Sequence, residues 1–377
     1  MSDDKKDTKK TRLLGLDVMR GLAVFLMIEQ HLGVWLWHGP DPGKTPFDYP
    51  ILITFNALGG GAAPLFTTLA GIGSALLCSK RDNPDSTILR RGIVLMGFGY
   101  LLSLLTPSWF TLASWFVLHL MGFGMILVPL IRRLPRPAIL GSAAALLALT
   151  PVLQIWLQTP DKLKNLRMAG WVAQRGGEVL PWAPLRIAMV EGHFPVFPWL
   201  AFFLFGFVAG LWIAEDRRRN IPLLGLANLA IGGAMAGLYY GKVGFAQEMP
   251  RVFSIPIPFY PTTPTFILVL SGAILLVVSA MLAIEQRITL KPTNPAVTLG
   301  RASLTLLLLH VVIFRELTRP EKLIWPTYLH GKWQSMPPNE ALSVLLIFTA
   351  LCIVGAWFWQ KVGYKYGAEW ILRQAAP

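Results

Sequence analysis

Cysteine is nearly absent from this chain: Cys78 and Cys352 are the only two in 377 residues. Both fall in or beside apolar runs and have no third partner, which excludes a disulfide framework and a cysteine-based metal site. Charge is also scarce. Asp, Glu, Lys and Arg make up 14% of the residues, against roughly 25% in a soluble domain, and no polar stretch is long enough to fold as one. The six histidines include no HxH or HxxxH pair, so three or four ligands converging on a metal are not expected. A Walker-type phosphate loop, a GxGxxG turn between strand and helix and a serine nucleophile elbow are all missing. No internal repeat is visible, so an inverted-repeat transporter gains no support.

What remains is apolar. Hydrophobic residues make up 54% of the chain, with 14 Trp and 21 Phe, and the mean hydropathy is +0.53. Runs of about 20 residues, the length that crosses a bilayer core at 1.5 Å per residue, lie at 13–37, 50–77, 88–106, 109–131, 137–157, 194–214, 222–240, 263–285, 296–318 and 341–363. The expected fold class is therefore all-α, a polytopic membrane bundle of about ten transmembrane helices. The first run is too long and too charged for a signal-peptide core and no small-residue cleavage site follows it, so it is expected to stay.

Lys and Arg set the orientation. With the N-terminus inside, the inner gaps hold Lys80, Arg81, Arg90 and Arg91, then Arg132, Arg133 and Arg136, then Arg217, Arg218 and Arg219, then Arg287 and Lys291. The short outer gaps hold few. Both termini are then cytoplasmic, with a basic tail at 1–12, a membrane domain at 13–363 and a second tail at 364–377. The net charge of +14 sits in short clusters between apolar runs rather than in a continuous patch, so nucleic acid is not an expected partner; membrane lipid is. The cell (inner or plasma) membrane is the expected location, and a homodimer is compatible with the sequence. The segments 158–193, 241–262 and 319–340 are expected to be long outer loops, a length that marks lids, binding surfaces or disorder.

Ionisable groups at membrane depth are costly, and each is a functional hypothesis. The first run carries Asp17, Arg20, Glu29 and His31. Arg20 and His31 are eleven residues apart, three helical turns plus roughly 20°, so they share one face about 16 Å apart along the axis. Asp17 lies one turn from Arg20 and can pair with it, whereas Glu29 points away. His38, His193 and His330 fall outside; His119 and His310 fall near mid-membrane or beyond. Histidine is the side chain best suited to exchange protons near neutral pH, although a single histidine is as readily an interfacial hydrogen-bonding residue. Gly59, Gly60 and Gly61, followed by Pro64, permit either close helix packing or a broken helix beside a cavity.

The run Arg12-Leu-Leu-Gly-Leu-Asp17-Val-Met-Arg20-Gly21-Leu-Ala23, continuing to His31, resembles the first helix of the transmembrane acyltransferase superfamily. The Arg-x10-His spacing is similar to the acyltransferase-3 type, and Asp-x-x-Arg-Gly-x-Ala to the heparan-α-glucosaminide N-acetyltransferase catalytic-domain family. Ala63-Pro64-Leu-Phe66 through Gly71, Phe194 through Pro198-Trp199 to Gly206, and Leu299-Gly300-Arg301 through Ser303 to His310 agree with the latter. The resemblance covers roughly 12–318. It implies transfer of an acyl group, with acetyl the family-based guess, from cytoplasmic acyl-CoA to a hydroxyl or amine of a glycan or lipid acceptor on the far side. By the resemblance His31, or His38 further along, is the catalytic base or, alternatively, His31 carries the acyl group briefly itself; Asp17 and Arg20 form the ion pair below it, and His310 or Asn56 steadies the oxyanion. Arg20, Arg81, Arg90, Arg91 and Arg301 are the expected holders of the coenzyme A phosphates. The alternative is a transporter or flippase that uses the same buried charges without covalent chemistry.

Overall fold

The computed structural model describes residues 12–161, 174–175, 178–179, 182–256, 259–316 and 334–376. Helices dominate, and a two-residue antiparallel pair, β1 (Gln174–Arg175) with β2 (Glu178–Val179), is the one sheet among the described residues. The first half contains α1 (Leu14–Leu36), α2 (Pro50–Gly59), α3 (Ala62–Cys78), α4 (Pro84–Leu105), α5 (Val117–Ile131), α6 (Arg136–Trp156), the short α7 (Ala183–Arg186) and α8 (Val196–Ala214). Then come α9 (Asn220–Tyr240), the short α10 (Gly244–Gln247) and α11 (Pro250–Phe253), α12 (Pro264–Arg287), α13 (Pro295–Arg301), α14 (Ser303–Val311), α15 (Pro338–Lys361) and α16 (Ala368–Ala375). Proline opens α2, α4, α12, α13 and α15, where its fixed φ suits the first turn and its missing N–H costs nothing.

Among the described residues, seven segments are long and apolar enough to cross a membrane: Pro50–Cys78, α4, α6, α8, α9, α12 and α15. The chain is a multi-pass membrane protein. Three other expected runs are also helical but differ in form. Helix α1 has 23 residues, about 34 Å at 1.5 Å per residue, and it carries the charges of Asp17, Arg20 and Glu29 along a mostly apolar helix. The run read as 109–131 is helical only from Val117; the turns before it follow Pro107. The run read as 296–318 bends by 71° between α13 and α14 and ends in a π turn, Val312–Glu316.

Glycines decide where helices touch. A Cβ on Gly59 would lie 2.3 Å from Gln30 Cβ, so the break between α2 and α3 serves close packing against α1. Helix α8, with Trp199, Phe202, Phe203 and Phe207 fully buried, packs on α3 through Gly71 and Gly206. A Cβ on either would come within 2.1 Å of a facing carbonyl oxygen, that of Phe203 or Thr68. Small residues here replace a hydrophobic driving force that lipid does not supply. Gly206→Leu should therefore separate the two helices and leave little protein monodisperse in detergent, whereas the same change at Gly97, with open space around its Cβ position, should be tolerated. Size-exclusion profiles of the two variants check this.

Candidate active site

Helix α1 meets the bent pair α13–α14 along one face. A Cβ on Gly300 would lie 1.8 Å from the Asp17 carbonyl oxygen, and one on Gly21 2.1 Å from that of Ala296. With the backbones this close, polar side chains from the two elements meet in two clusters.

The first cluster surrounds Asp17, which is 1% exposed. Its carboxylate accepts hydrogen bonds from Arg12 at 2.7 and 2.9 Å and from Arg20 Nη1 at 2.8 Å, and Arg301 Nε lies 3.5 Å away. One carboxylate thus holds three guanidinium groups. The Asp17 hydrogen bond raises the Arg12 pKa above its ordinary value. These arginines open onto a cavity of about 720 Å³ that Arg91, Arg373 and Tyr364 also line. Burial raises the Tyr364 phenol, leaving it a neutral group at this mouth. The same cavity is also lined by the apolar side chains of Leu69, Leu118, Met121 and Leu307. Leu307 precedes His310 by three residues, about 4.5 Å of helix rise.

The second cluster is a hydrogen-bonded chain. His31 Nδ1 and His310 Nε2 are 2.8 Å apart, and His310 Nδ1 lies 2.9 Å from the Leu306 carbonyl oxygen. A carbonyl can only accept, so the network assigns the proton to His310 Nδ1, and the neutral ring then has its acceptor at Nε2. His31 Nδ1–H must donate to it, which leaves the lone pair of His31 on Nε2. The second ring fixes the tautomer and direction of the first, the arrangement a general base requires. Trp35 stacks on His31 with centroids 4.6 Å apart. Arg315 lies over Trp109 at 3.4 Å and near Trp35 at 5.3 Å. Glu316 accepts from Ser108 N at 3.1 Å and from Ser108 Oγ at 2.5 Å. Arg315 and Glu316 both belong to the π turn that continues α14, a distortion that recurs at functional sites.

Asp17, Arg20, Arg91 and Arg301 are gathered at the cavity or its wall, and His31 and His310 are hydrogen-bonded. The other candidates lie elsewhere. Arg81 bonds Thr87 and Arg90 is exposed on α4; neither lines the cavity. His38 faces Asp41 at 3.7 Å, beyond the end of α1, and Asn56 is exposed on α2. His119 is a helix cap, its Nδ1 accepting from Phe116 N at 3.3 Å. His330 lies outside the described residues. Glu29 is buried, and neither carboxylate oxygen has a hydrogen-bond partner among the described residues. Trp35, Trp109, Arg315 and Glu316 escaped the sequence reading, although Arg315 and Glu316 are charges inside an apolar run and the rule that singled out Asp17 and Arg20 applies to them equally.

The family model for heparan-alpha-glucosaminide N-acetyltransferase, catalytic, matches residues 12–242, more than half of the chain. The chain belongs to that family. Among curated proteins none matches it. Membership implies transferase activity of the membrane acetyltransferase kind. The matched stretch holds the Asp17, Arg20 and His31 face but ends before α13 and α14, so the family match carries one wall of the site and the structure supplies the other.

Proposed function

We propose that the protein transfers an acetyl group from acetyl-CoA, taken from the cytoplasm, to a hydroxyl or amine of a glycan or lipid acceptor on the far side of the cell membrane. The proposal includes ten spans with both termini cytoplasmic, so that the arginine-lined mouth beside the two terminal segments faces the donor. One observation carries it. The hydrogen-bonded chain Leu306–His310–His31 stands on the same face of α1 as Arg20 and Asp17, and His310 follows Leu307, which lines the arginine-bearing cavity, by three residues on α14.

The chemistry follows from that order. Arg20, Arg91 and Arg301 would hold phosphate oxygens by charge-assisted hydrogen bonds, and Leu69, Leu118 and Leu307 would flank the uncharged pantetheine arm. The acceptor's oxygen or nitrogen attacks the thioester carbonyl carbon as His31 Nε2 takes its proton; the C–S bond then breaks, and the proton passes to the departing thiolate. Acetyl ester or amide and free coenzyme A are the products.

Purified protein in nanodiscs tests this with acetyl-labelled acetyl-CoA and a mixed pool of sugar amines, sugar hydroxyls and lipid headgroups. The expected result is free thiol together with label lodged in an acceptor. A protein that releases no thiol from any pool but moves a lipid-linked sugar across a vesicle membrane would instead be a transporter.

A further inference from the structure

Helix α14 begins without a cap of its own. Its N-cap residue is Ala302, which has no side-chain acceptor, so the first-turn amides need a partner from elsewhere. That partner is Glu369, 65 residues further on in α16. Glu369 Oε1 accepts from Leu304 N at 2.5 Å and Thr305 N at 3.1 Å, and Oε2 accepts from Thr305 Oγ1 at 2.6 Å. A carboxylate thus occupies a helix N-terminus, a position suited to an anion by both its free N–H groups and the helix dipole. The setting is the second observation. Glu369, Ser303 and Leu304 line the same cavity as Arg12, Arg20, Arg91, Arg301 and Arg373, so the chain's own anion sits in the wall of a chamber furnished with five guanidinium groups.

Helix α16 is lightly held apart from this contact. Of its eight residues only Ala368 is fully buried. Its other hydrogen-bond anchors among the described residues are Ala368 N to Thr305 Oγ1 at 2.8 Å and Arg91 Nη2 to the Ala376 carbonyl oxygen at 3.3 Å, and Leu372 packs against the core. Arg91 is thereby engaged by the chain's C-terminal segment rather than left to a ligand. The segment joining α15 to α16 turns through left-handed backbone at Gly363, Tyr364 and Tyr366. For the two tyrosines that conformation costs free energy, and Trp359 of α15 braces it, its Nε1 donating to the Lys365 carbonyl oxygen at 2.9 Å and its ring meeting that of Tyr364.

We infer that α16 is an autoinhibitory latch: Glu369 stands in for a phosphate of the donor at the first turn of α14, and a polyanionic donor must displace it. This rests on the donor reading above and adds the regulation of that site. Competition of this kind lowers the donor's apparent affinity by the fraction of molecules that are unlatched.

The test uses the full chain in nanodiscs with coenzyme A as the probe. Glu369→Ala should bind coenzyme A about fivefold more tightly than the unaltered protein, the size expected from removing one helix-capping carboxylate. Glu369→Gln, which keeps an acceptor oxygen and loses the charge, should fall between the two. Hydrogen exchange of the 368–376 amides in the unaltered protein gives a reading that does not depend on a variant folding. Saturating coenzyme A should accelerate it. Coenzyme A bound equally by all three proteins, or slowed exchange, would overturn the latch and leave the donor reading standing. Failure of all three to bind coenzyme A would overturn both.

Discussion

His31→Ala should reduce kcat for acyl transfer by about a hundredfold to ten-thousandfold, the range a positioned general base contributes, and should leave coenzyme A affinity unchanged. The separation is expected because His31 hydrogen-bonds to His310 and is not among the residues lining the arginine-rich cavity. The partner ring supplies a graded control. His310→Gln keeps an oxygen able to accept the His31 Nδ1 proton, so its loss should be about tenfold or less, within the contribution of one hydrogen bond. His310→Leu removes the acceptor, frees the His31 ring to take the other tautomer, and should approach the His31→Ala rate. The discriminating measurement is kcat and KM for all three variants at one acceptor concentration. If His31→Ala transfers acetyl groups as fast as the unaltered protein, the base is elsewhere, and His38, which faces Asp41 past the end of α1, becomes the residue to remove next.

The one-dimensional part of this architecture was legible in the sequence. Each of the ten expected runs contains helix, because a bilayer fixes the length of an apolar segment and the sequence states that length directly. The shared face of Arg20 and His31 was legible for a similar reason, since the 100° step of an α-helix needs no tertiary information. The breaks were not. Beside the bend at Ala302, Gly300 meets the Asp17 carbonyl oxygen, a contact between elements nearly 300 positions apart that no local pattern announces. The His31–His310 bond spans 279 positions and is invisible to any local rule, although each histidine was singled out by itself. The arginines show the limit most clearly. Arg90 and Arg91 are neighbours in one basic cluster, and loop charge counts treat them alike. They leave α4 about 100° apart, so Arg91 reaches the cavity and the Ala376 carbonyl while Arg90 stays on the exposed side. Charge patterning tells which end of a helix is basic; only the helix's rotation in the bundle tells which cation meets a ligand.

That distinction sets the second large effect. Arg20→Gln combined with Arg301→Gln should weaken coenzyme A binding by at least about a hundredfold, because each lost charge-assisted hydrogen bond to phosphate is worth roughly tenfold or more. Arg90→Gln should leave binding unaltered, although it removes the same charge from the same end of the protein. Asp17 keeps its bonds to Arg12 in the double variant, so its buried carboxylate is not stranded, and detergent thermal stability should fall only modestly. Two further readings separate phosphate capture from catalysis. Acetylpantetheine, which carries the thioester and no phosphate, should be turned over equally by the unaltered protein and the double variant. Raising ionic strength should weaken coenzyme A binding to the unaltered protein and do so less steeply for the variant, since part of the attraction being screened has been removed. A variant that lost coenzyme A and acetylpantetheine turnover together would mean that Arg20 and Arg301 hold α1 against α13–α14 rather than a phosphate. The cluster around Asp17 would then be a structural clasp, and the donor's phosphates would have to be met by Arg12, Arg91 and Arg373 at the outer part of the same mouth.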